Sequence, residues 1–142
     1  MGRRLVYAGQ MDRRFGTAPS AADIEALARA SLRRLPEPFA AHLKDVVLTV
    51  EDLADEATLS EMGIEDPFEL TGLYHGLPVG DKSVEHSGML PDRIFLYRRA
   101  ILDEWAAEGE SLEHLVHHIL VHEVGHHFGL SDEAMHALED EA

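Results

Sequence analysis

The sequence predicts an α+β domain, a small mixed β-sheet packed on helices, and three observations carry that expectation. Short runs rich in β-branched and aromatic residues, Val46 to Val50, Leu70 to His75 and Arg93 to Tyr97, have the length and composition of strands. Apolar residues recur at helical spacing from Ile24 to Leu35 and again from Leu112 to about Phe128. The 142 residues, 45% of them hydrophobic, fit one domain large enough to bury a core.

Residues 1–19 carry Arg3, Arg4, Arg13 and Arg14 with glycines and little periodicity, and read as a flexible or loosely docked tail before a single domain over 20–142. A strand through Arg4 to Ala8 is the competing reading. Ser20 with Asp23 three residues on resembles a capping box, so a helix should run from there to about Leu35. Pro36 and Pro38 break it, and Pro38 to Lys44 has the length of a short second helix. Val46 to Val50 is the best early strand. The acidic segment Glu51 to Asp66 is too polar for full burial and should form a solvated turn or short helix. Leu70 to His75 and Arg93 to Tyr97 then form two strands joined by a Gly-rich loop from Gly76 to Gly88, long enough to rim a cleft. Arg98 to Ala107 favours a helix ended by Gly109. Ser111 caps a long helix to about Phe128, and Ser131 or Asp132 starts a last one through Leu138.

On that long helix stands His122-Glu123-Val124-Gly125-His126, extended by Gly129 and Asp132. Residues four apart on a helix project from one face, so the imidazoles of His122 and His126 can converge on one ion. Glu123 lies about 100° round from His122, beside such an ion rather than bound to it. Gly129 can enter the left-handed conformation that ends a helix, which lets Asp132 swing back as an oxygen ligand. In a His-rich chain the bare pentad is weak; Gly129 and Asp132 together make it specific. Leu112, Leu115, Val116 and Ile119 fall on the same arc as His122, Glu123 and His126, which predicts a motif on the buried side, where three polar groups need strong partners. One Zn2+ held by His122, His126 and Asp132 satisfies all three and leaves a fourth position for water, whose pKa the ion can lower toward ~7. Core histidines satisfied by hydrogen bonds are the plain alternative. Glu133 and Glu139 are possible replacements for Asp132, at unusually short spacing.

The formal charge of −15 argues against nucleic acid and favours neutral or basic peptides. The absence of cysteine leaves only nitrogen and oxygen to hold a metal. No run suits a membrane span, and the start lacks the apolar stretch of a secretory signal, so a cytoplasmic protein is expected. Oligomeric state is not legible.

The string His122 to Asp132, with Gly72-Leu73-Tyr74-His75-Gly76 and Leu90-Pro91-Asp92-Arg93-Ile94 before it, resembles the small bacterial zincin-like metallopeptidases. The match is specific from about Asp66 to Leu138 and loose from Ser20 onward. The resemblance implies a minimal zincin fold with a short sheet over the helix that carries the motif. It makes His122, His126 and Asp132 the metal ligands and Glu123 the catalytic residue. The wider metzincin clan adds a methionine turn well downstream of the third ligand. Met135 stands too near Asp132 for that role and equally suits the core. With ten residues after Asp132 and no such subdomain among them, a small cleft with few specificity pockets is expected, one that turns over poorly or narrowly or needs a partner.

Peptide hydrolysis with Glu123 as general base is the leading expectation. Tyr74, His75 and Tyr97 are candidate substrate or oxyanion contacts, and Ile94 to Tyr97 is either a sheet edge for an extended peptide or an interior strand. His118, one turn before His122, could reach the ion or hydrogen-bond a ligand. His114 and His117 should be solvated, and His127 should cover the core or bond a carbonyl. A non-catalytic, metal-stabilised peptide-binding module is the alternative, separated by Glu123, which a purely structural site does not need. A metal-dependent endoribonuclease is a third reading, against which the acidic balance and Glu123 both count.

Overall fold

The computed structural model describes residues 16–76 and 91–141. Its elements are α1 (Ala21–Arg33), α2 (Phe39–Leu43), β1 (Val47–Glu51), α3 (Glu56–Met62), a 3-10 turn (Pro67–Glu69), β2 (Gly72–His75), β3 (Arg93–Tyr97), α4 (Arg98–Glu108), α5 (Leu112–Phe128) and α6 (Asp132–Glu141). The Arg4 to Ala8 strand and nearly all of the Gly76 to Gly88 loop lie outside the described residues.

The three strands form one sheet in the order β1-β3-β2. β3 runs parallel to β1, with Leu48 opposite Ile94, and antiparallel to β2, with Tyr74 opposite Ile94. β3 is therefore the central strand, and Ile94 to Tyr97 cannot be the sheet edge that was one of its two readings. Its alternating buried residues Ile94 and Leu96 are fully enclosed. Among the described strands, β2 holds an edge.

The local chemistry of the helix ends explains where the helices stop. Ser20 accepts from the Asp23 N–H at 3.1 Å while Asp23 accepts from the Ser20 N–H at 2.8 Å, the reciprocal box expected for α1. Ser111 accepts from the His114 N–H at 3.0 Å and opens α5. α1 ends at Arg33, slightly short of Leu35, which is buried all the same.

The main core lies between α1, α5, α6 and the sheet. Ile24 and Ala28 of α1, Leu48, Ile94 and Leu96 of the sheet, and Leu115, Val116, Ile119, Leu120, Val121 and Val124 of α5 pack together. Burying each large aliphatic side chain is worth about 1.5–3 kcal/mol, so α5 is held by packing on nearly every side through its first three turns. Met135 is 1% exposed and belongs to this core. A second cluster joins Ala54, Leu70, Tyr97 and Ala100 under α3. The acidic segment resolves into α3 and turns, with no buried residue in α3. Ahead of α1, the Pro19 carbonyl accepts from Arg98 Nε at 2.8 Å, tying the chain there to α4.

Candidate metal centre

α5 ends as its sequence dictates. Gly129 takes φ 76°, a conformation strained for any residue with a Cβ. The Leu130 N–H bonds the Gly125 carbonyl at 2.8 Å and the Gly129 N–H bonds the His126 carbonyl at 3.1 Å. This Schellman arrangement reverses the chain within three residues. α6 therefore returns alongside α5. His118 meets Glu139, and the rings of His122 and His136 lie 6.2 Å apart, so the register is antiparallel. Asp132, His136 and Glu139, spaced i, i+4 and i+7, thus face the column His118, His122, His126.

At the centre of this hairpin the His122 Nε2 is buried and has no hydrogen-bond partner. Its ring centroid lies 6.0 Å from that of His126 and 4.2 Å from that of His118. Burial, and then the neighbouring His118, depress the His122 pKa, which keeps its imidazole in the neutral form that binds metals. The carboxylate that comes nearest is Glu139, with Oε1 4.0 Å from His122 Nε2. His118, His122 and Glu139 each offer an atom within 4.8 Å of the others.

Asp132 is the first residue of α6 and is exposed, with no ion pair to a histidine among the described residues. The register puts it at the His126 end of the hairpin. His126 is exposed too, so the arc expected to be buried is buried only in part: His122 and Glu123 are half-buried and His126 forms the rim.

Glu139 is held from two sides. Its carboxylate accepts from His118 Nδ1 at 2.9 Å, and its backbone carbonyl stands 3.2 Å from His117 Nε2. A carbonyl only accepts, so that nitrogen carries the proton, and His117 Nδ1 then accepts from the Ser31 hydroxyl. His117 is 5% exposed. The expectation that it would be solvated fails because α1 covers it, a fact of tertiary packing that the wheel of α5 alone does not contain. His114 is exposed as expected and lies 3.7 Å from Glu139.

Glu123 turns to the sheet. Its Oε1 accepts from the Tyr74 N–H of edge strand β2 at 3.1 Å. Burial raises its carboxyl to about 7, a rise the Tyr74 N–H partly offsets. That is the range in which a carboxylate both takes and returns a proton near neutrality. Of the candidate substrate contacts, Tyr74 spends its hydroxyl on Asp92 at 2.7 Å, Tyr97 is enclosed in the second cluster, and His75 is exposed at the end of β2. The structure brings Tyr74 to Glu123, while His75, the next residue of the strand, alternates to the opposite face of the sheet from the Tyr74 ring.

Over residues 43–142 the chain matches the family model described as zincin-like metallopeptidase. The chain belongs to that family. None of the curated proteins compared with this zincin-like chain matches it. Zinc binding is what membership implies, and the donor set fits: a partnerless buried imidazole nitrogen, a second imidazole one turn on and the Glu139 carboxylate 4.0 Å from the first. Among the described residues, no helix of this zincin-like domain is long and apolar enough to cross a membrane.

Proposed function

We propose that the chain hydrolyses peptide bonds as a zinc-dependent metallopeptidase, with one Zn2+ held by His122, His126 and Asp132 and with Glu123 as general base. The observation that carries this reading is the orphaned His122 Nε2. A buried acceptor or donor left unpaired costs about 1–3 kcal/mol, a cost that a ligand bond to a metal removes. When bound, zinc supplies Lewis acidity, lowering the pKa of water and polarising a carbonyl.

The chain's own residues do the rest. Tyr74 N–H fixes one oxygen of Glu123 against β2, which leaves the other to take a proton from water and pass it to the leaving amine. Asp132 lies toward the open His126 end, whereas Glu139 already accepts from His118 and stands behind His122 as the residue that orients the histidine column. The partner is a peptide or protein in the cytoplasm, with neither nucleic acid nor membrane involved.

The test pairs metal analysis with a peptide-library cleavage assay. Glu123→Gln is expected to keep its metal and lose cleavage by about a hundredfold or more. Equal cleavage by wild type and variant would remove Glu123 as the base, whereas metal retained with cleavage by neither would favour a binding module. Asp132→Asn is expected to release the metal, and Glu139→Gln to weaken its binding by about 10–100-fold. The reverse order would move the third ligand to Glu139 and leave the role of Glu123 intact.

A further inference from the structure

A second set of metal-ligating side chains converges on the opposite flank of α5. His127 is five residues beyond His122, about 140° round the helix, and so faces β2 and α2 instead of α6. There it meets Asp92, which enters β3, and His42 of α2. The Nε2 atoms of His42 and His127 each lie 3.7 Å from Asp92 Oδ2, and all three donors fall within 4.8 Å of one another. A separation of 3.7 Å is too long for a hydrogen bond. It is close to the roughly 3.3 Å between ligands that sit ~2.0–2.1 Å from a tetrahedral ion. The His42 Nε2 is buried and has no hydrogen-bond partner.

The donors are also fixed from behind, as metal ligands are. The Tyr74 hydroxyl donates to Asp92 Oδ2 at 2.7 Å, and the Tyr74 ring stacks on His127 with centroids 3.9 Å apart and planes 13° apart. Phe128 meets the His42 ring edge-on at 4.8 Å. The backbone of Gly76 closes over the Asp92 carboxylate so tightly that a Cβ at that position would fall on it. Beside the cluster opens a cavity of about 180 Å³ lined by His42, Asp45, Val46, Pro91 and Asp92, which gives an ion a way in.

We propose that His42, Asp92 and His127 form a second metal site, for a divalent transition ion of the zinc class. Two imidazoles and one carboxylate select such an ion over magnesium or calcium, which take oxygen cages. The site joins α2, the start of β3 and the last turn of α5, segments far apart in the chain. Its ion clamps the turn that carries His126, and so steadies the first site without belonging to it.

The test is the number of equivalents of Zn2+ retained by untagged full-length protein after reconstitution and a chelating-resin wash, with folding checked by circular dichroism. Wild type should hold about two equivalents and His42→Gln about one. The double variant His122→Gln, His126→Gln should also hold about one, and Asp92→Asn gives a second route to the same loss should His42→Gln fail to fold. A His42→Gln protein that retains as many equivalents as wild type overturns the second site. So does a His122→Gln, His126→Gln protein that folds and holds none. One equivalent in wild type that disappears with His42→Gln but survives the double variant would support this site while refuting the proposed first one.

Discussion

Ser31 and His117 show how much one buried side chain can organise. Ser31 is 1% exposed, and its hydroxyl is the donor that fixes the proton of His117 on Nε2, from which the ring reaches the Glu139 carbonyl. Burial, the leading cause, lowers the His117 pKa, in keeping with a neutral ring that accepts on one side and donates on the other. Ser31→Ala would leave the His117 Nδ1 buried without a donor. The expected loss is about 1–3 kcal/mol, read as a lower urea midpoint at unchanged slope in metal-free protein. A loss near zero would mean that the ring turns to find another partner. Neither residue advertises this pairing in the sequence. Ser31 reads as one more small residue on the apolar face of α1, and its partner stands 86 positions away.

At the scale of elements, helix ends were the most legible features and their tertiary partners the least. Asp55, not singled out from the sequence, caps α3 by accepting from the Thr58 N–H at 2.8 Å. That bond, and then the Thr58 hydroxyl, favour the charged form and lower the Asp55 pKa. A carboxylate whose folded-state pKa is depressed contributes stability that is fully present above its unfolded value and lost as pH falls through the folded one. The stability gap between wild type and Asp55→Ala should therefore be constant near neutrality and narrow below about pH 4. Urea midpoints of both proteins across that range check it, and a gap independent of pH would assign the cap to geometry alone. Ser20, Gly109, Ser111 and Gly129 were readable because each acts on backbone within a few residues of itself. The same locality makes His122, Glu123 and His126 recognisable on one helix. The sheet order was not readable, since period-2 patterning does not distinguish a central strand from an edge one. Nor was the meeting of His42, Asp92 and His127, which depends on three elements docking and on no spacing within any of them.

At the scale of the molecule, the formal charge of −15 must act on whatever approaches the site. Glu110 and Glu139 border the histidine column, and the basic residues Arg3, Arg4, Arg13 and Arg14 all belong to the first 19 positions, so the domain is more acidic than the whole chain. An acidic surface raises the local concentration of cationic substrates and hinders anionic ones, through an on-rate term that salt screens. If the proposed peptidase reading holds, kcat/KM for peptides flanked by Lys or Arg should fall by about tenfold as sodium chloride rises from about 0.01 to 0.15 M, where the screening length shrinks from ~30 to ~8 Å. Peptides flanked by Glu should gain over the same range, and uncharged ones should change little, because they feel no long-range field. Steady-state rates on three matched peptides of one core sequence, each measured at fixed pH and fixed metal content, separate this from direct effects of salt on zinc. A parallel fall for all three would place the salt effect on the metal or the fold. It would also show that the charge of this chain does not help choose its substrate.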